Sequence, residues 1–88
     1  MTLREQLRHF IVINFYVSRP ELVGDEDSLL DLGVIDSTGV LEIVDFVERD
    51  LGVSVADADI VPQNFGSIAA VAAFVESRRS TEQQAAAG

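Results

Sequence analysis

Leu29-Leu30-Asp31-Leu32-Gly33-Val34-Ile35-Asp36-Ser37-Thr38-Gly39-Val40-Leu41 is the stretch on which the fold turns. Leu29, Leu30, Leu32, Val34 and Ile35 make its first half too apolar to lie free in water, so it must pack back onto neighbouring elements. It ends in Asp36-Ser37, and an amphipathic helix starts there. Asp36 is the natural N-cap, because its carboxylate can accept from an early backbone N–H. Ser37 then presents a hydroxyl at a helix N-terminus, and nothing else in the chain offers a better reactive atom.

Working outward, the helix that follows is expected over Ser37–Leu51, with Gly52 as its stop. Fifteen residues span roughly 22 Å, enough for a full bundle helix. Val40, Val44, Val47 and Leu51 form an inward stripe that Leu41 and Ile43 broaden, while Glu42, Asp45, Glu48 and Arg49 line the other side. Gly39 in the first turn costs roughly 1 kcal/mol relative to Ala. Either that cost is tolerated, or a small residue is wanted beside Ser37 so that something can approach closely.

Upstream, Thr2-x-x-Glu5 before an apolar run is a capping-box signature. Leu3, Leu7, Phe10, Ile11 and Phe15 then recur at helical spacing, which predicts a helix over residues 3–17 with Arg8 and His9 on its exposed side. Residues 18–36 form a long connection punctuated by Pro20 and Gly24. A loop this long in a small domain is uncommon and often functional. Asp25, Asp27, Asp31 and Asp36 invite a calcium-loop reading, but the positions that an EF-hand needs as oxygen ligand, Gly and Glu hold Leu29, Leu30 and Asp36. Downstream, Ala56–Val61 reads as one short helical turn ended by Pro62. Asn64 and Ser67 are candidate caps for a last helix over Ser67–Arg79. Its apolar face is Ile68, Val71, Phe74 and Val75, and Arg78 and Arg79 sit where the helix dipole favours them. Three longer helices, one short helix and a long first loop predict an all-α four-helix bundle over residues 1–79, followed by a flexible tail, 80–88.

The totals narrow the function classes. The chain has 88 residues, 48% of them hydrophobic and 24% charged, which reads as one small globular domain. It has no cysteine, hence no disulfide, no Cys-ligated metal and no thiol nucleophile. His9 is the only histidine, which argues against a His-built metal site or a catalytic triad. No run approaches the ~18 apolar residues of a membrane span and no secretory signal is visible, so a cytoplasmic location is expected. The net charge of −9 is concentrated: residues 21–59 hold twelve acids against Arg49 alone. Such a middle repels nucleic acid and anionic membranes and attracts basic protein surfaces.

With those residues in hand, Asp27-Ser28-Leu29-Leu30-Asp31-Leu32-Gly33-Val34-Ile35-Asp36-Ser37 resembles the segment before the modified serine of acyl carrier proteins. The similarity runs on through Val40-Leu41-Glu42-Ile43-Val44, the Gly52-Val53 stop, the acidic Ala56–Val61 turn and Ser67-Ile68-Ala69, covering residues 3–78. The resemblance implies that Ser37 carries 4′-phosphopantetheine, transferred from coenzyme A by a magnesium-dependent phosphopantetheinyl transferase. The thiol of that arm would hold an acyl or aminoacyl thioester and present it to successive enzymes. It implies that Asp36 supports the transferase's metal, and that Glu42, Asp45 and Glu48, with Val40 and Leu41, meet partner enzymes. Val44, Ile60 and Val61 would line a pocket for the acyl chain. Implied partners besides the transferase are an acyl- or aminoacyl-activating ligase and acyltransferase, ketosynthase or condensation-type enzymes acting on a monomeric carrier. Where acyl carriers commonly follow the serine with Leu-Asp or Leu-Glu, this chain has Thr38-Gly39. It also lacks the Gly-Gly-x-Ser run of peptidyl carriers in modular synthetases. A free-standing carrier of secondary metabolism, of polyketide or nonribosomal peptide type, is the subtype this favours.

The residues suit the role independently. A chain without cysteine has no thioester chemistry of its own and would have to import the thiol. A phosphodiester on Ser37 would sit where helix N–H groups and the dipole favour an anion by roughly 0.3–1 kcal/mol at a surface. The Asp36 carboxylate opposes this, with solvent screening. Two rival classes stand beside the carrier. An unmodified acidic helical adaptor predicts no covalent adduct and tolerance of Ser37→Ala. A serine hydrolase lacks its parts, since no oxyanion-hole motif accompanies Ser37.

Overall fold

A computed structural model describes the backbone of residues 1–87 and the side chains of residues 1–80. The helix α1 spans Leu3–Asn14, and the Thr2 hydroxyl accepts from the Glu5 amide at 3.2 Å, which is the N-cap half of the expected capping box. It stops three residues short of the expected end. Tyr16 takes a left-handed conformation with φ of +53°, and the Val17 amide donates back to the Val12 carbonyl at 3.2 Å. That closes the helix with the pattern in which glycine usually occupies the left-handed position.

Arg8 is not on the exposed side of α1. It is half-buried, donates to the carbonyls of Val23 at 2.7 Å and Pro20 at 3.4 Å, and pairs with Asp25. Three loop residues are thereby gathered on one guanidinium. A 3-10 turn at Pro20–Leu22 lies inside the same loop. Farther along, the Ala69 amide donates to the Asp25 carbonyl at 2.7 Å and the Leu29 amide to the Gly66 carbonyl at 2.9 Å. Leu29 is fully buried and Ile35 nearly so. The apolar half of the loop packs back onto the helices only in part: Leu29 and Ile35 are buried and Val34 is half-buried, whereas Leu30 and Leu32 stay exposed.

The helix α2 spans Ser37–Arg49, and Gly52, at φ of +69°, provides the left-handed turn that reverses the chain after it. Ile43, Val44, Val47 and Leu51 face the core, whereas Leu41 is 56% exposed and does not broaden the inward stripe. A 3-10 turn occupies Asp57–Asp59. Pro62 does not end that turn into a loop; it opens α3, Pro62–Phe65, at the first helical position, where its missing N–H costs nothing. Ser67 is the cap of α4, accepting from the Ala70 amide at 3.1 Å, while Asn64 donates to the Asp59 carbonyl at 2.9 Å instead.

The helix α4 spans Ile68–Ala87 and so continues beyond the expected end at Arg79. Glu82, Gln83, Gln84 and three alanines are strong helix formers, and no proline or glycine intervenes before Gly88, which lies outside the described residues. Ile68, Val71, Phe74 and Val75 are all buried, as their spacing predicts. The helix packs on both α1 and α3. Phe65 of α3 lies 5.2 Å from the Phe74 ring. Leu7 and Ile11 of α1 and Ile43 and Val47 of α2 complete one core. The described residues contain four helices and no strand, in the all-α arrangement expected.

Candidate functional site

The start of α2 is built by three consecutive residues. Asp36 has extended backbone and its Oδ1 accepts from the Gly39 amide at 2.7 Å, the N-cap bond anticipated from the sequence. Gly39 is buried: a Cβ there would meet the Phe15 Cε1 at 2.9 Å and the Ile35 Cβ at 3.0 Å. The small residue therefore admits a core phenyl ring and a loop side chain rather than a ligand beside Ser37. Ser37 points the other way. It is exposed, it is the first residue of α2, and its hydroxyl is held by no hydrogen bond among the described residues. The one histidine, His9, is exposed on α1 and lines a different surface cleft, away from Ser37.

Ser37 sits at the edge of an apolar cleft of about 200 Å³ between α2 and α3. Leu30, Val40, Ile60, Val61, Pro62 and Phe65 form most of its wall. Ile60 and Val61 are where the sequence places them, but Val44 is buried in the core and takes no part in the lining. Val40, assigned to partner contact, lines this cleft. Leu30, Pro62 and Phe65 were not anticipated as wall residues. Leu30 belonged to a run whose buried and open members the sequence does not separate, and Pro62 read only as a breaker. The Ile60–Pro62 wall is braced from α4: Arg78 donates to Asp59 at 2.6 Å and lies 4.9 Å from the Phe74 ring centroid.

The three acids assigned to one face do not act together. Glu48 accepts from the Val55 amide at 3.2 Å and so holds the segment after α2. Asp45 pairs with Arg49 at 2.8 Å, and Glu42, Asp45, Leu41 and Thr38 line a second cleft, facing α1. Among the described residues no group of three or more His, Cys, Asp or Glu is placed to hold a metal, and no helix is long and apolar enough to cross a membrane.

An exposed, unbonded hydroxyl at the start of a thirteen-residue helix, beside an apolar cleft, suits an anionic group on an extended arm. Residues 15–75 match the family described as the phosphopantetheine attachment site. The chain belongs to this family. It is 25% identical over 85 residues to the probable acyl carrier protein PigG of Serratia sp. (strain ATCC 39006), covering 97% of this chain and 98% of that protein. A chain in the crystal structure of an FAD-dependent dehydrogenase superposes with a TM-score of 0.67 and 25% identity, over 78% of this chain and 97% of that one. The protein is an acyl carrier protein whose cofactor is covalently attached 4′-phosphopantetheine.

Proposed function

We propose that Ser37 is the attachment residue, and that the chain is a non-catalytic, free-standing carrier of an acyl or aminoacyl group in secondary metabolism. The observation that carries the assignment is the Ser37 hydroxyl itself: exposed, free of hydrogen bonds among the described residues, and first in α2, within the matched residues. The arm, when bound, supplies a thiol that holds the cargo as a thioester. The chain's own residues do the rest. Asp36 fixes the N-terminus of α2 through the Gly39 amide, and with it the direction in which Ser37 is offered. Its exposed carboxylate is also the group that assists the transferase's metal. The helix N-terminus favours the phosphodiester anion.

Leu30, Val40, Ile60 and Val61 offer apolar contact to whatever is tethered at Ser37. A cleft of about 200 Å³ lies below the roughly 300–1,000 Å³ of ordinary small-molecule pockets. It shelters a short or partly inserted group and leaves a long one in contact with solvent or a partner. Glu42 and Asp45 steer basic enzyme surfaces to this end of α2, through contacts that are individually weak and screened by salt. The partners are a phosphopantetheinyl transferase, an acyl- or aminoacyl-activating ligase and downstream acyltransferase, ketosynthase or condensation-type enzymes. Likeness to a chain found in an FAD-dependent dehydrogenase structure adds an enzyme of that kind to the set.

Intact-mass measurement after incubation with coenzyme A, magnesium and a broad-specificity phosphopantetheinyl transferase tests the reading. The wild-type chain gains one phosphopantetheine and Ser37→Ala gains none. A folded wild-type chain that gains nothing, or a Ser37→Ala variant that gains the same mass, overturns it.

A further inference from the structure

A surface on the far side of α2 is separate from the cleft beside Ser37. Two clefts of about 480 and about 400 Å³ adjoin along the face between α1 and α2, sharing Phe10, Asn14, Phe46 and Asp50. They share no lining residue with the cleft beside Ser37. Phe10 and Phe46 stack with centroids 4.3 Å apart and planes at 24°, yet both are only half-buried. Ile13 and Leu41 are 55% and 56% exposed in the same clefts. A stacked aromatic pair flanked by open aliphatic side chains resembles the centre of a protein interface, where aromatic anchors dominate.

The rim states what can cover it. Glu42, Asp45 and Asp50 line the groove against one arginine, Arg49, which is already engaged by Asp45. Glu42 and Asp50 make no ion pair among the described residues. A second copy of this chain, at a net charge of −9, would bring the same acids against themselves, and an anionic membrane is repelled likewise. The groove also has a defined upper end: Thr38, next to Ser37, lines it. A segment seated here therefore reaches the neighbourhood of the attachment serine.

We propose that the α1–α2 groove, centred on Phe10 and Phe46 and rimmed by Glu42, Asp45 and Asp50, docks an amphipathic helix of a partner enzyme. Its apolar stripe fills the groove and flanking arginines or lysines meet the rim. The inference rests on the carrier reading, since it is the cargo at Ser37 that gives such an enzyme its reason to dock. It differs from recognition by the acids of α2 alone, because α1 supplies half of the surface, through Phe10 and Ile13. Ile13 and Asp50 carry the specificity without touching the Ser37 site.

The test is an NMR titration of the full ¹⁵N-labelled chain with a synthetic amphipathic helix of about 18 residues, Leu and Phe on one face and Arg on its flanks. Amide shifts concentrate in residues 9–14 and 38–50. The Ile13→Ser/Asp50→Asn double variant binds roughly tenfold more weakly, and added salt weakens wild-type binding. The same helix with Glu for Arg does not bind. Shifts centred on residues 57–66, equal binding of the Glu helix, or an unaffected double variant each overturn the assignment. So does self-association of the wild-type chain that the double variant abolishes, which would give the face to a second copy. Loading of Ser37 is read in parallel: both chains gain phosphopantetheine equally, so a failure to load strikes the carrier reading and a failure of the titration strikes only the groove.

Discussion

Gly39 shows how a single residue can be read two ways until its neighbours are placed. In an isolated helix, replacing it with alanine is favourable by roughly 1 kcal/mol. Here the new methyl would lie 2.9 Å from the Phe15 ring and 3.0 Å from the Ile35 Cβ, and Ile35 is stiff at that atom. Overpacking typically costs about 1–3 kcal/mol, so the clash outweighs the propensity gain. Gly39→Ala is expected to lower Tm by several degrees in a thermal melt, at roughly 4–8 °C per kcal/mol for a domain of this size. Tyr16 gives the opposite sign. It holds a left-handed φ of +53° and its side chain is 90% exposed, so it carries backbone strain with little packing to offset it. Tyr16→Gly is expected to raise stability by about 0.5–1 kcal/mol in chemical denaturation, because glycine takes that conformation without the Cβ penalty. Neither effect was legible in the sequence. Spacing told of a helix start and a helix end, but what a Cβ meets across the core is a tertiary fact.

At the scale of elements, the long first loop was legible as an apolar segment that must return to the helices, and its anchor was not. Arg8 read as a surface charge because polar residues at helical spacing usually are. Its partners lie 12 to 17 residues away, two of them backbone carbonyls that no side-chain pattern announces. Pro62 was similarly ambiguous, since a proline that stops one element is equally suited to starting the next. At the site, Asp36 caps α2 as local capping rules predict, and Val44 faces the core as the inward stripe of α2 predicts, so it is absent from the cleft lined by Ile60 and Val61 where the family resemblance had placed all three. Arg8→Met should cost about 1–3 kcal/mol of stability, by stranding two carbonyls and Asp25, while leaving α1 formed. Amide exchange across residues 18–36 should accelerate well beyond that of α4. The same contact carries a pH dependence. The hydrogen bond from Arg8 lowers the Asp25 pKa below its ordinary 3.8, against the opposing effect of burial, and Arg4 assists. A carboxylate depressed in the folded state contributes stability that is present above its unfolded pKa and is lost as pH falls through the folded value. Denaturation measured from about pH 6 to about pH 2.5 should therefore show a decline that begins near pH 4 and is shallower in both Asp25→Asn and Arg8→Met.

For the whole molecule, the question is which way charge acts on stability. Twelve acids lie between residues 21 and 59 with Arg49 alone among them, and the net charge is −9. Folding draws those carboxylates together, and their repulsion opposes compaction. Against this stand the ion pairs. Arg4–Asp25, Arg19–Glu21 and Arg49–Asp45 have at least one largely exposed partner, and such pairs are worth ~0–1 kcal/mol each. Arg78–Asp59 is the most shielded on its acidic side, with 16% of the Asp59 side chain exposed, and salt screens it least. Added salt thus removes a repulsion spread over many groups while costing little from pairs that contribute little. Tm should rise by several degrees between about 10 mM and about 200 mM NaCl, where the Debye length falls from roughly 30 Å to under 10 Å. Docking of a basic partner on the same acids should weaken over that range, because screening acts on both. A Tm that falls with salt would mean that the ion pairs, led by Arg8 and Arg78, outweigh the acidic field. A Tm that rises while docking weakens would show that the field is kept for partners at a cost to the isolated fold.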